Sequence, residues 1–210
     1  MIYYILPFLV FIVFTYAATA FSGIHYLFYP VKTIATGYLL WQFRKRYTEL
    51  KKDKFDYRGW PLAILVGILV FTAWIGFEGY LPTVGYSEFN PFVFSNRISA
   101  VALIGFRFLG AVAVVPLMEE LFWRSFLIRW IIHPKFESVP IGMFTWSSFL
   151  LTTILFGVEH HRWAVGMLAG AAYNGLLYYR KRLWPCIIAH ATTNLLLGVY
   201  VVTTQQWSFW

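Results

Sequence analysis

A single cysteine, Cys186, and only nine acidic residues occur among 210. One thiol excludes an internal disulfide and any multi-cysteine metal site, so Cys186 reads as a small packing residue. Charged residues make up 12% of the chain against 60% hydrophobic and 21% aromatic, too few to clothe a water-soluble domain of this size. The chain shows no internal repeat and no low-complexity tract, which removes the symmetry on which many secondary transporters are built. The zinc-protease pattern HExxH is also missing.

What is present is a series of apolar runs. Crossing ~30 Å of hydrocarbon takes about 20 helical residues, and such runs recur at 3–23, 31–43, 61–80, 98–133, 144–158, 163–179 and 183–203. The expected fold is all-α, a polytopic transmembrane bundle of about seven spans (six to eight) with no soluble domain. The opening "MIYYILPFLVFIVFTYAATA" ends like a signal-peptide cleavage site, but it lacks a basic leader and its apolar run is too long, so it reads as the first span. Lys and Arg number 17 and give a formal charge of +8. They gather in "RKRYTELKKDKFDYR" (44–58) and "RKR" (180–182), a pattern of membrane orientation rather than of nucleic-acid binding. The positive-inside rule then puts both segments and the N-terminus in the cytoplasm. It leaves "LPTVGYSEFNPFVFSN" and the interfacial tryptophans of "TTQQWSFW" outside an inner, cell membrane.

Ionisable residues within spans are costly and point to function. In "VVPLMEELFWRSFL", Glu119 and Glu120 diverge by about 100° on a helix. Arg124 lies four residues after Glu120, the favourable order for an ion pair on one face, so Glu119 is the freer carboxylate. Pro116 removes a backbone donor one turn earlier and is expected to kink the helix, exposing carbonyls and admitting water. The plainer alternative is an interfacial helix end with Arg124 and Arg129 snorkelling and both glutamates solvated. "FGVEHHRW" adds Glu159, His160 and His161, and "HATTNLL" aligns His190 with Asn194 on one face of the last span. Lys32 and Arg107 stand near span ends and read as structural, with long stems that snorkel.

A carboxylate, histidines and an asparagine from three helices suit attack of water on an amide. Glu119, helped by His160, would take the proton, and His190 with Asn194 would stabilise the oxyanion. The same groups could bind zinc, although adjacent helical positions such as His160 and His161 diverge too far for good ligand geometry.

Glu119-Glu120 with Arg124 (EExxxR), Phe156 with His160 (FxxxH) and His190 with Asn194 (HxxxN), in this order, resemble the three motifs of the CAAX-protease and bacteriocin-processing family of intramembrane endopeptidases, also called Abi. Within it they look most like the bacterial branch associated with exosortase. The resemblance covers about residues 98–206, a catalytic helical core following N-terminal helices and a basic loop at 1–97. It implies catalytic roles for Glu119, His160, His190 and Asn194, supporting roles for Glu120 and Arg124, and no metal or other cofactor. His161 falls outside the motif. Expected partners are the bilayer, a membrane-anchored or lipid-modified protein substrate reaching the site from the bilayer or its cytoplasmic face, and a protein-sorting system. A prenylated substrate is not identified by any residue. The rivals are a non-catalytic scaffold or immunity protein, in which Glu119→Gln preserves function, and a small transporter, which would carry ion flux. One tension remains: straight helices place His160 and His190 at depths about 10 Å apart, at 1.5 Å per residue.

Overall fold

A computed structural model describes residues 1–21, 25–52, 57–85, 89–93 and 96–210. Parts of three expected connections, at 22–24, 53–56, 86–88 and 94–95, lie outside the described residues. The described residues are all-helical, as expected from the length of the apolar runs. Its helices are α1 (Ile2–Ala20), α2 (His25–Phe43), a short α3 (Thr48–Lys52), α4 (Trp60–Gly76), α5 (Arg97–Ile132), α6 (Trp146–Glu159), α7 (Trp163–Arg180) and α8 (Trp184–Thr204). Seven are long and match the seven expected runs. Helices α1, α5 and α8 are long and apolar enough to cross a membrane, and α4 and α6 are shorter apolar helices. This is a helical membrane protein.

The boundaries that differ have local causes. Helix α2 begins at His25, six residues before the expected Val31, and carries Pro30 inside it. As the sixth residue of that helix Pro30 stands past the first turn, so the helix runs on through a position that supplies no backbone donor. Lys32 therefore lies within the helix rather than at its outer end. It is buried, donates to Thr15 Oγ1 at 2.8 Å and sits 4.1 Å over the Phe11 ring, so it is satisfied by protein instead of snorkelling.

Two close approaches set the helices around the centre. A Cβ at Gly67 of α4 would lie 2.5 Å from the Ala189 carbonyl oxygen of α8, and the Gly67 carbonyl accepts from Thr193 Oγ1 at 2.9 Å. Only a residue without a side chain permits this crossing, which fixes the α8 face carrying His190 and Asn194. The α6–α7 hairpin closes likewise at Gly157, where a Cβ would meet Met167 Cγ at 2.3 Å.

Helix α5 is the long element through the site, and it is not uniformly α. Gly110–Val114 and Leu121–Leu127 are π-helical, with α-helical Val115–Glu120 between them. The first π turn explains how Pro116 is accommodated. The Val115 N–H bonds the Gly110 carbonyl, five residues back, instead of Ala111. The next candidate donor for Ala111 is Pro116, which has none. The orphaned Ala111 carbonyl accepts from Asn194 Nδ2 at 2.8 Å, so the carbonyl expected to face water is held by a side chain of α8.

The ends of the bundle are locked differently. At the basic end, Arg129 is buried rather than snorkelling. It donates to the Ser125 carbonyl and hydroxyl and lies 3.9 Å from Glu49, which also accepts from Ser125 Oγ and, at 2.8 Å, from Tyr4. At the opposite end Arg162 makes a fork to Glu78, Nε to Oε2 at 2.7 Å and Nη2 to Oε1 at 2.8 Å, and donates to the Ser208 carbonyl at 3.0 Å. That last bond folds the segment after α8 inward. Phe209 and Trp210 are buried, not displayed at an interface as the sequence suggested.

The Arg162 fork holds the Glu78 carboxyl below its usual range. A depressed carboxylate stabilises the fold above its unfolded pKa and loses that contribution as pH falls through the folded value. Because Glu78 is partly exposed, Glu78→Gln is expected to cost only about 1 kcal/mol at pH 7, read by chemical unfolding in detergent. The gap between wild type and variant should close as pH falls below the ordinary carboxylate range.

Candidate active site

A cavity of about 180 Å³ lies inside the bundle, and its wall includes Glu119, His160, His190 and Asn194. Four side chains from α5, the end of α6 and α8 are thus brought to one space. Glu120 and Arg124 are not in the wall. They lie behind it, 0% and 1% exposed.

The two adjacent glutamates part as helical geometry requires. Glu120 Oε1 accepts from Arg124 Nη1 at 3.1 Å and pairs with His190 Nδ1 at 2.9 Å. Arg124 Nε donates to Asn174 Oδ1 at 3.2 Å, and Asn174 Nδ2 donates to Thr152 and Thr153 at 3.0 and 3.1 Å. The Arg124 guanidinium also stacks 4.3 Å over the Phe156 ring. The snorkelling alternative fails here: Arg124 and Glu120 are buried and held by protein groups, with only Arg124 Nη2 and Glu120 Oε2 of this pair lacking a partner among the described residues. Glu119 is turned to the cavity, and its Oε2 has no hydrogen-bond partner among the described residues.

The histidines carry definite tautomers. His160 Nδ1 lies 2.7 Å from the Phe156 carbonyl oxygen, which can only accept, so Nδ1 carries the proton and Nε2 keeps a lone pair when the ring is neutral. His190 Nδ1 donates to the Glu120 carboxylate, leaving its Nε2 in the same state. To donate from Nε2 as well, His190 must be doubly protonated, with Glu120 as counter-ion. Asn194 spends one N–H on Ala111 and retains the other.

The expected difference in depth is present and is bridged by side chains. His160 Cβ lies 3.3 Å from a Cβ built at Gly166, whereas the His190 ring stacks on Tyr173 at 5.2 Å, seven residues further along α7. That is about 10 Å of helix. Helix α6 stops at Glu159, and the His160 ring turns back toward Phe156, whose own ring is 4.8 Å from His160 and 6.1 Å from His190. His161 stays outside the cavity wall, with Nε2 3.3 Å from Arg162 Nη1.

Two residues of this region escaped the sequence reading. Asn174 and Tyr173 stand in "AAYNGLLYY" on α7; an asparagine in an apolar span is the same signal that singled out Asn194. Arg107 was read as structural, yet it belongs to the cavity wall, as do Phe209 and Trp210. Among the described residues no three His, Cys, Asp or Glu side chains gather at metal-ligand distances.

A family model described as "Type II CAAX prenyl endopeptidase Rce1-like" matches residues 101–196. This segment, which carries all seven motif residues, is thus similar to a family of membrane CAAX endopeptidases. No curated protein and no solved structure matches the chain.

The geometry assigns different costs to neighbouring glutamates. Glu120→Gln strands the buried Arg124 charge and should cost about 3 kcal/mol or more. Glu119→Gln removes a carboxylate that makes no ion pair among the described residues and should cost under about 1 kcal/mol. Unfolding midpoints of the two variants in the same detergent check the contrast.

Proposed function

We propose that the chain is an intramembrane endopeptidase of the glutamate type, hydrolysing a peptide bond of a membrane-anchored or lipid-modified protein. The observation that carries this reading is the cavity that Glu119 shares with His160, His190 and Asn194 while Glu120 is engaged behind it.

Water enters between Glu119 and His160. The Glu119 carboxylate takes its proton and His160 Nε2 accepts from it, aligning the oxygen on the carbonyl carbon. As that C–O bond forms, charge builds on the carbonyl oxygen. The free N–H of Asn194 and the Nε2–H of doubly protonated His190 donate to it, with Glu120 shared between that ring and Arg124. Collapse breaks the C–N bond, and the proton on Glu119 passes to the departing nitrogen. Each step uses only these side chains and one water.

An apolar groove of about 250 Å³ between α4 and α7 supports a substrate that arrives through the bilayer. Val70 and Ala169 belong to its wall and to that of the cavity. The cavity itself extends from mid-depth toward the end carrying Trp74 and Trp210, away from the basic segments. With the basic end cytoplasmic in an inner membrane, the substrate therefore reaches the site laterally or from the outer side, rather than from the cytoplasmic face. A sorting enzyme acting on the same substrate belongs to this proposal, as does the assignment of 98–206 as the catalytic core.

Comparison of protein termini by mass spectrometry, in host membranes carrying wild type or Glu119→Gln at matched levels, tests the reading. A membrane-anchored protein processed only with the wild type is the expected outcome. Purified Glu119→Gln and His160→Ala should then cut it at least about 100-fold more slowly. Identical termini together with full rescue of a deletion phenotype by Glu119→Gln would favour the scaffold instead.

A further inference from the structure

Arg107 occupies the far end of the cavity from Glu119 and differs from the buried arginines. Arg124, Arg129 and Arg162 each lie beside a carboxylate, from Glu120, Glu49 and Glu78. Arg107 has none among the described residues. Its guanidinium is caged by rings, 4.6 Å from the centroid of Tyr29, 4.4 Å from Phe89 and 5.7 Å from Trp210. Aromatic faces stabilise a cation and cover its planar sides, but they accept no hydrogen bond in the guanidinium plane. Its five N–H donors make no hydrogen bond among the described residues and so are available to an acceptor entering the cavity, and a planar carboxylate is the group their fork fits.

Resting on the hydrolase reading above, we propose that Arg107 binds a carboxylate of the substrate and so decides which stretch of peptide is presented to Glu119. The two residues are twelve apart on α5, about 18 Å along its axis. An extended peptide covers that in about five residues, so the bound carboxylate lies within about five residues of the scissile bond. Charge fixes the direction of the chain, since a carboxylate is repelled by Glu119 at one end of the cavity and attracted by Arg107 at the other. The group is either the terminal carboxylate of a substrate cut near its C-terminus or an acidic side chain close to the cleavage point.

Three dodecanoylated, dansyl-labelled octapeptides test this on the full chain in lipid nanodiscs. One has a free C-terminus, one a carboxamide, and one a carboxamide with glutamate third from the end. Tryptophan-to-dansyl energy transfer reports affinity. Wild type and Glu119→Gln should both bind the free acid about tenfold or more tighter than the plain amide. Arg107→Gln should bring the ratio to about one, and Arg107→Lys should retain part of it while guarding against a folding defect. Tight binding of the glutamate peptide names a side chain as the source, and weak binding names the terminus. Equal affinity of acid and amide for wild type, no binding of the acid, or a ratio preserved in folded Arg107→Gln would overturn the proposal. Carboxylate preference that survives while no host protein is processed would sink the hydrolase reading alone.

Discussion

The bundle is organised by the need to bury one charge. Arg124 sits where water does not reach, and an unpaired guanidinium there would cost several kcal/mol at least. Its satisfaction draws in four helices: Glu120 from its own turn of α5, Asn174 from α7, the threonines of α6 behind Asn174, and His190 of α8 through the shared Glu120 oxygen. An apolar bundle packs by shape alone and tolerates small slips. This network does not, because a shift of one residue in any of the helices breaks a bond to a buried polar group.

The π segment at Gly110–Val114 of α5 answers a different need. Neighbouring residues on an α-helix diverge, so a single turn can aim Glu120 inward to Arg124 and Glu119 into the cavity without further device. Proline at 116 is what requires adjustment, and the wide turn before it concentrates the cost in one orphaned carbonyl, at Ala111. Asn194 takes that carbonyl. The pairing joins α5 to α8 beside the cavity and gives the asparagine a fixed orientation, something a uniformly α-helical Arg97–Ile132 would not have offered.

Much of this was legible in the sequence because it depends on spacing. The all-helical membrane architecture followed from run length, and the Glu120–Arg124 pair from an interval of four residues. The coming together of His160 and His190 was harder, since a depth argument treats helices as rods and side chains as points. The return of the His160 ring toward Phe156 and the early end of α6 resolve it. The snorkelling expected of Arg107 and Lys32, and of Arg129 in the plainer alternative, failed for the same reason as the interfacial place of Trp210. Snorkelling presumes that water is the best available partner for a long polar side chain, and composition does not reveal when rings or backbone carbonyls stand closer. The π turns left no signal except Pro116, because a widened turn is a compromise among neighbours rather than a local preference.

The polar groups in the cavity share a pattern that bears on reactivity. His160 fixes Nδ1 on a backbone carbonyl, His190 fixes Nδ1 on Glu120, and Asn194 fixes one N–H on Ala111. Each spends one hydrogen-bonding site on its own orientation and keeps the other for a ligand. Dipoles held in this way need no reorganisation when charge develops beside them, which is where most electrostatic stabilisation of a transition state originates. Glu119 is the exception, with an oxygen that has no partner among the described residues. A carboxylate oxygen so placed keeps its lone pairs for a proton drawn from water. In the proposed mechanism, therefore, the groups of fixed orientation hold the geometry and the unpartnered carboxylate takes the proton.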